Sequence, residues 1–462
     1  MSEERETPTG WIYVSLGDLF LIERGGSPRP IEDYITDDKN GLNWIKIGDT
    51  KGITKYIYHT KEKIKPEGLH KTRMVYEDDF ILSNSMSFGR PYIMKTEGCI
   101  HDGWLVIRTP KNLIDTNYLY HILSSSFVYQ QFSNLAKGST VKNLNIEAVQ
   151  QVYIYLPPLP EQHRIVANIE ELFSSLDKGI ECLKTAEQQL KIYRQAVLKW
   201  AFEGKLTNKD VIEGELPEGW RKSKVKSIGK VINGDRGKNY PSRAHYVASG
   251  VPFISAGNIE ENRIDTKNVN FITEAKYDAL NSGKLQNGDL IYCLRGSLGK
   301  CAIFNLNTGA ISSSLCILRL NSDVLNQFVF YYLISPFGRD EILKHDNGTA
   351  QPNLSGKSFE NYEIVLPTPE EQHLIVSEIE SRLSVCDKIE ESITTSLQQA
   401  EALRQSILKK AFEGKLVPQD PNDEPASVLL ERIKEEREKN KPVKKAKEKI
   451  LEQSKSKKTV TA

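Results

Sequence analysis

The strongest constraint in this sequence is that it contains itself twice. Leu-Pro-Pro-Leu-Pro-Glu-Gln-His-Arg-Ile-Val, beginning at Leu156, returns as Leu-Pro-Thr-Pro-Glu-Glu-Gln-His-Leu-Ile-Val from Leu366. Arg-Gln-Ala-Val-Leu-Lys-Trp-Ala-Phe-Glu-Gly-Lys-Leu, ending at Leu206, returns as Arg-Gln-Ser-Ile-Leu-Lys-Lys-Ala-Phe-Glu-Gly-Lys-Leu ending at Leu416. Both matches keep one offset of 210 positions, so no net insertion lies between them. A fixed period of this kind decides the architecture before any local reading does. The preceding segments repeat more faintly. Asp79-Phe80-Ile81 through Ser87-Phe88-Gly89-Arg90 answers Asp289-Leu290-Ile291 through Ser297-Leu298-Gly299-Lys300, and Lys137–Asn145 answers Asn347–Ser355. The chain reads as variable, shared, variable, shared, then a tail.

The shared blocks read as long helices. From Ile165, apolar or small residues recur at steps of four and three: Ile165, Ile169, Leu172, Leu176, Gly179, Leu183, Ala186, Leu190, Tyr193, Val197 and Trp200. The second block has Ile375, Ile379, Cys386, Ile389, Ile393, Ala400, Leu403 and Ile407 in the same phase, interrupted by Arg382, Ser396 and Lys410. Sustained over about five heptads, that alternation is a coiled-coil seam. Some 40 residues at 1.5 Å each make a rod of about 60 Å. Proline-rich starts and the glycines Gly204 and Gly414 bound both rods. Two stripes of this length are expected to pack on each other. The alternative is two separate amphipathic helices, each lying on its own domain.

The variable segments alternate short β-rich runs (79–84, 104–108, 289–294, 315–320) with helical stretches near 118–135 and 327–343. The expected fold class is α+β: two similar mixed α/β domains with two long helices, in a pseudo-two-fold repeat. Expected boundaries are a first domain over 1–156, a helical spacer over 157–206 and a linker over 207–216. A second domain over 217–366, a second spacer over 367–416 and a charged tail over 417–462 complete the plan. The tail has a short helix-like start at Val428, Leu429 and Ile433 and then becomes Lys-rich and low in complexity.

Composition removes several classes. The 462 residues include 62 Lys plus Arg against 61 Asp plus Glu, a net charge of +1, which excludes a uniformly basic DNA wrapper. No apolar run approaches the roughly 18 residues of a membrane span. The polar start Met-Ser-Glu-Glu-Arg-Glu-Thr lacks the features of a secretion signal. Six scattered cysteines without a Cys-x-x-Cys pair fit reduced thiols and a cytoplasmic setting. There is no P-loop, no Gly-x-Ser-x-Gly elbow and no His-Glu-x-x-His. His163 and His373 occupy matched positions without ligand-spaced neighbours, so capping or packing outweighs metal binding. Nothing in the chain reads as a catalytic centre, a metal site or a resident cofactor site.

What remains is two drifting surfaces on one kept scaffold, a plan suited to reading two different short targets. Candidate DNA contacts in the first variable segment are Arg24, Lys46, Arg73, Asn84, Ser85, Arg90, Lys137, Lys142 and Asn143. In the second they are Arg236, Lys238, Arg243, Arg263, Arg295, Lys300, Lys344, Gln351 and Asn353. Arg pairs with guanine, Asn or Gln with adenine, and the remaining cations position the phosphate backbone. The element Gly-[Ser/Thr]-x-x-x-Asn-Leu at 138–144 and 348–354 recurs at the shared offset and suits either a tight turn or DNA contact.

The two-copy plan, with Leu-Pro-x-x-x-Glu-Gln-His-x-Ile-Val opening each shared helix and Ala-Phe-Glu-Gly-Lys-Leu closing it, resembles the specificity subunits of type I restriction-modification systems. The resemblance spans essentially the whole chain, including Ala426-Ser427-Val428-Leu429-Leu430. It implies two target-recognition domains that each read half of a bipartite site in double-stranded DNA. Antiparallel helices would act as spacer and dock two methyltransferase subunits, with restriction subunits joining the full complex. S-adenosylmethionine, ATP and Mg²⁺ would belong to those partners. Competing expectations are a stand-alone duplicated DNA-binding regulator and a coiled-coil scaffold.

Overall fold

The computed structural model describes residues 7–85, 88–110, 112–136, 143–208, 210–212, 214–346 and 353–440. Packing divides the chain inside both repeated helices. One unit combines residues 1–181 with 397–462, and the other is 182–396.

In the first unit, two five-stranded sheets share the middle of the domain. One runs in the order Leu21–Arg24, Trp104–Arg108, Phe80–Ser83, Pro91–Met94, Tyr56–Ile57. The other runs Ile35–Thr36, Glu62–Ile64, Leu42–Ile45, Gly98–Ile100, Arg73–Val75. The continuous apolar run at 104–107 has a physical cause. Leu105 and Ile107 enter one core with Phe80 and Leu82, while Trp104 and Val106 enter a second core with Ile81 and Ile100. A strand buried on both faces needs no polar alternation. A two-stranded ribbon, Ile12–Ser15 against Tyr153–Leu156, closes the unit beside the helix start.

The second unit repeats the plan. Gly229–Asn233, Leu315–Leu320, Leu290–Cys293 and Cys301–Ile303 form one sheet. Tyr246–Val247, Asn270–Ile272, Val251–Ile254, Gly309–Ile311 and Lys284–Leu285 form the other. One of the first unit's two parallel pairs recurs: Cys99 opposite Trp44 in one unit, Ala310 opposite Phe253 in the other. The ribbon Arg221–Lys224 against Glu363–Leu366 matches that of the first unit. Each predicted helical stretch of the variable segments is in fact two helices. Thr116–Leu123 and Ser126–Leu135 break where the Ser125 hydroxyl caps Val128 N–H (3.3 Å) and donates to the Ile122 carbonyl (2.6 Å). Asn326–Ile334 and Pro336–His345 break at Pro336, which has no N–H to continue the ladder.

The repeated blocks are helices of 44 residues each, Leu159–Phe202 and Pro369–Phe412. Gln162 anchors the first: its Oε1 accepts from Asp115 N–H (2.9 Å) and its Nε2 donates to the Pro157 carbonyl (3.0 Å). Gln372 does the same with Leu325 N–H (2.8 Å) and the Pro367 carbonyl (3.2 Å). The same two bonds account for the glutamine recurring in both copies. The histidines beside them are peripheral. His163 is largely exposed, 3.6 Å from Asp115, and His373 is exposed.

Within each unit the helix halves pack antiparallel. In the first, Phe173 and Asp177 meet Arg404, while Ile165 and Ile169 share a core with Leu408 and Phe412. In the second, Arg194 meets Asp387 (2.6 Å) and Glu390 (2.8 Å), while Leu198 and Phe202 share a core with Ile375 and Ile379. One predicted row is buried or half-buried: Ile169, Leu176, Leu183, Leu190, Val197, and Ile379, Cys386, Ile393, Ala400, Ile407.

The other predicted row holds at its first members, Ile165 and Ile375, which are fully buried, and is corrected by one position beyond them. Leu172, Ile389 and Leu403 are 37%, 44% and 51% exposed. The half-buried row is Phe173, Ile180, Glu187, Arg194, with Leu383, Glu390, Leu397, Arg404 in the second copy. Counting apolar residues passes over this row because arginine buries its stem while its head stays wet. The Arg404 guanidinium lies 4.4 Å from the centre of the Phe173 ring.

The tail also forms more structure than its sequence suggested. Ala426–Asn440 is a 15-residue helix. Its Leu429 and Ile433 complete the first unit's core, Ala426 N–H reaches the Gly10 carbonyl (2.8 Å), and Arg437 caps the Gly17 carbonyl (2.9 Å).

Candidate nucleic-acid interface

In each unit, several polar candidates converge where the central sheet's second and third strands meet the returning loop. In the first unit, Arg24 Nε donates to the Asp102 carbonyl (3.2 Å), and Asn84 Nδ2 donates to the same carbonyl (2.8 Å). Leu144 N–H in turn reaches the Asn84 carbonyl (2.8 Å), bringing exposed Asn143 and half-buried Ser85 to the same corner. Asn84 itself is buried, so its amide holds the loop and its neighbours face outward.

The second unit builds the corresponding corner from different side chains. Leu354 N–H reaches the Leu294 carbonyl (2.9 Å), the same bond 210 residues on. Arg295 and Asn353 form an isolated antiparallel bridge, with Arg295 Nε 3.2 Å from Asn353 Oδ1. Arg236 Nη2 donates to the Ser313 carbonyl (3.3 Å) from the opposite loop. Arg236, Arg295 and Asn353 are all exposed. The buried leucine, its backbone bond and the exposed asparagine before it (Asn143, Asn353) are shared, and the other outward groups are not.

The remaining candidates scatter. Lys46 is tied to Glu62, and Arg73 pairs with Glu23 at 3.3 Å. Lys344 pairs with buried Glu341 at 2.7 Å. Arg90, Lys238, Arg243 and Arg263 are exposed, and Lys300 is half-buried. Lys137, Lys142 and Gln351 lie outside the described residues, as does most of each Gly-[Ser/Thr]-x-x-x-Asn-Leu element. The repeated aspartates are framework. Asp289 is buried, accepts from Gln286 N–H (2.7 Å) and is held by Arg319 at 2.9 and 2.8 Å. Asp79 takes the same part with Tyr76 N–H (2.8 Å) and Arg108.

Asp102 is the group that residue-type counting missed. Its carboxylate accepts from Ser27 (2.9 Å) and lies 3.5 Å from Arg29 and 3.6 Å from His101. Burial, the largest influence, raises its pKa. Ser27, His101 and Arg29 outweigh burial and hold the carboxyl below the ordinary carboxylate value. Burial likewise pushes His101 below the usual imidazole value, against the pull of Asp102. The corner thus presents a fixed anion flanked by cations, a combination that can accept from a base amino group while its arginines meet acceptors. In the second unit strand register puts Ser312 in the place of His101 and Ser313 in that of Asp102. Only the fold reveals the hub, because its members are spread from Arg24 to Asn143.

Among the described residues no group of His, Cys, Asp or Glu is placed to hold a metal ion, and no helix is long and apolar enough to cross a membrane.

Residues 8–191 and 217–399 both match the family model described as the type I restriction modification DNA specificity domain. The chain belongs to the type I restriction-modification specificity family. Its two copies of the family domain fall on the two halves of the repeat. The Escherichia coli K12 type I restriction enzyme EcoKI specificity subunit is 27% identical over 93% of this chain and 96% of its own length. Among solved structures, the HsdS subunit of Thermoanaerobacter tengcongensis aligns with a TM-score of 0.57 at 21% identity, over 89% of this chain and 99% of that one. A chain from work on complex assembly and conformational transition of the type I R-M system aligns with a TM-score of 0.70, also at 21% identity and with the same coverage. At that identity the structural likeness shows the specificity-subunit fold.

Proposed function

We propose that this chain is the DNA-reading subunit of a type I restriction-modification complex, with each unit reading one half of a bipartite site. The observation that carries this is one framework kept in both units under surfaces that carry mostly different side chains. Gln162 and Gln372 anchor the helices identically, and Leu144 and Leu354 make the same backbone bond. Yet the first corner carries Arg24, Ser85 and Asp102 beside Asn143, whereas the second carries Arg236 and Arg295 beside Asn353. A scaffold kept twice under two different faces suits two unlike half-sites on one duplex. Exposed arginines there supply base and phosphate contacts.

The long helices set the distance between half-sites and dock two methyltransferase subunits, with restriction subunits in the full complex. The chain itself is not catalytic in this reading. Methylation, ATP hydrolysis and cleavage reside in the partners, which use S-adenosylmethionine, ATP and Mg²⁺. The setting is cytoplasmic. A stand-alone regulator is not favoured, because the family match covers both copies and the curated relative is a restriction-enzyme subunit.

The test is co-expression with a candidate methyltransferase subunit, followed by single-molecule mapping of methylated adenines. A bipartite motif with a fixed non-specific gap is expected. Methylation without a bipartite motif overturns the reading, as does tight sequence-specific binding by the chain alone with no methyltransferase requirement.

A further inference from the structure

One turn is built the same way in both units and carries different side chains. Trp104 N–H closes it on the His101 carbonyl (3.1 Å) in the first unit, and Leu315 N–H closes it on the Ser312 carbonyl (3.1 Å) in the second. Each time a glycine lets a neighbouring segment approach. A Cβ on Gly25 would stand 2.2 Å from the His101 carbonyl oxygen, and one on Gly234 would stand 2.3 Å from that of Ser312. An arginine then donates to the carbonyl of the next residue: Arg24 to Asp102 (3.2 Å), Arg236 to Ser313 (3.3 Å). The turn and its cation are kept, and the first unit alone adds an acid there.

That acid is only half engaged. Oδ1 of Asp102 accepts from the Ser27 hydroxyl (2.9 Å), which fixes the orientation of the carboxylate. Among the described residues, Oδ2 is met by Arg29 at 3.5 Å, beyond ordinary hydrogen-bond length, and that arginine is itself 80% exposed. The Asp102 side chain is 47% exposed, so Oδ2 keeps lone pairs for a donor from outside.

A carboxylate is costly on a surface that meets duplex DNA, which carries a negative charge about every 1.7 Å of its axis. It is useful there only against a hydrogen-bond donor, and the donors on the major-groove edges are the amino groups of cytosine and adenine. Adenine sets its N7 acceptor beside that amino group, and a carboxylate has no proton to give it. Cytosine sets a carbon there instead, and its partner guanine offers O6 and N7 to an arginine. One acid and one arginine thus match every polar group that a C·G pair shows in that groove.

We infer that Asp102, with Arg24 beside it, reads a C·G pair in the first unit's half-site by accepting from the cytosine amino group through Oδ2. The inference rests on the reading of this chain as the DNA-reading subunit and names one pair of its target. Arg24 spends Nε on the turn carbonyl and meets the paired guanine with its terminal nitrogens. A hydroxyl both donates and accepts, so Ser313 imposes no such choice on the second half-site.

The test is methylation mapping of the full-length chain co-expressed with a candidate methyltransferase subunit, for the parent, Asp102→Ala and Asp102→Asn. The parent motif should hold a C·G pair in one half. Asp102→Ala should lower the preference for C over T at that position by about tenfold, the scale of one good base contact. Asp102→Asn should admit adenine there, since an amide offers a donor to N7 and an acceptor to the amino group. The other half-site should be unchanged, which reports in the same experiment that the chain is folded.

A first half-site carried over unchanged in both variants overturns the proposal. So does equal weakening of both halves, or a change confined to a position that is not C·G in the parent. If Asp102→Ala abolishes methylation outright, Asp102→Asn decides, because it keeps an acceptor for Ser27. A parent without a bipartite motif sinks the DNA-reading function itself, whereas a bipartite motif untouched by the variants sinks only the role of Asp102.

Discussion

Replacing Arg319 by Met tests whether the repeated aspartates are framework groups or DNA contacts. Asp289 has a side chain only 2% exposed and relies on two charge-assisted bonds from Arg319 and one from Gln286 N–H. Arg319→Met leaves that carboxylate buried with a single donor. Breaking a buried pair from one side costs about 3–5 kcal/mol. The lower end applies here, because the Arg319 side chain is 32% exposed and water can partly replace it.

A loss of about 3 kcal/mol speeds opening-limited amide exchange by roughly two orders of magnitude. Native-state hydrogen exchange should show that acceleration in Leu290–Cys293 and Leu315–Leu320, the strands Arg319 and Asp289 join. Phe80–Ser83 in the first unit should be unchanged. Combining Asp289→Leu with Arg319→Met should recover most of the loss, since no orphaned charge remains. Less than a tenfold acceleration in the single variant would refute the assignment of Asp289 as a structural anion.

Three further outcomes follow from named groups. Arg295→Ala should weaken methylation through the second unit's half-site and spare the other; equal loss at both would mark Arg295 as structural or a general phosphate contact. Removing one heptad from each long helix keeps both seam rows and shortens each helix by about 10 Å, about three base pairs. Methylation mapping should show a shorter gap, and an unchanged gap would sink the spacer role.

His121 is buried with its Nε2 unpartnered, and burial first, then Lys55 and Arg404, pushes its pKa down to about 4. The folded value lies below the unfolded one near 6.5. Its contribution is therefore complete above about pH 6.5 and is lost as pH falls toward 4, for a total of about 3 kcal/mol. Denaturant midpoints between pH 7.5 and 4.5 should fall less steeply in His121→Leu than in the parent, and equal slopes would refute the linkage.

The sequence was most legible where its signals are local or repeated. A 210-residue offset announced two copies of one plan, and a seven-residue period announced the long helices. The β-rich runs at 104–108 and 315–320 announced strands. The second seam row was not legible, because Arg194, Arg404, Glu187 and Glu390 occupy it and look like surface residues until a neighbouring helix covers their stems. The paired helices near 116–135 and 326–345 were also obscured, since the Ser125 and Pro336 breaks are single-residue events inside apolar stretches.

By itself, then, the sequence determined the duplication, the α+β class, the helical rods and the family, because each depends on spacing along the chain. The tertiary structure alone decided which candidates meet. Arg24, Asn84, Asp102 and Asn143 converge because strand pairing returns distant loops to one edge, while Lys46, Arg73 and Lys344 are claimed by carboxylates the fold brings to them. It also divided each long helix between two units and folded the tail helix onto the first. Those outcomes depend on which apolar faces bury one another, and no residue carries that information alone.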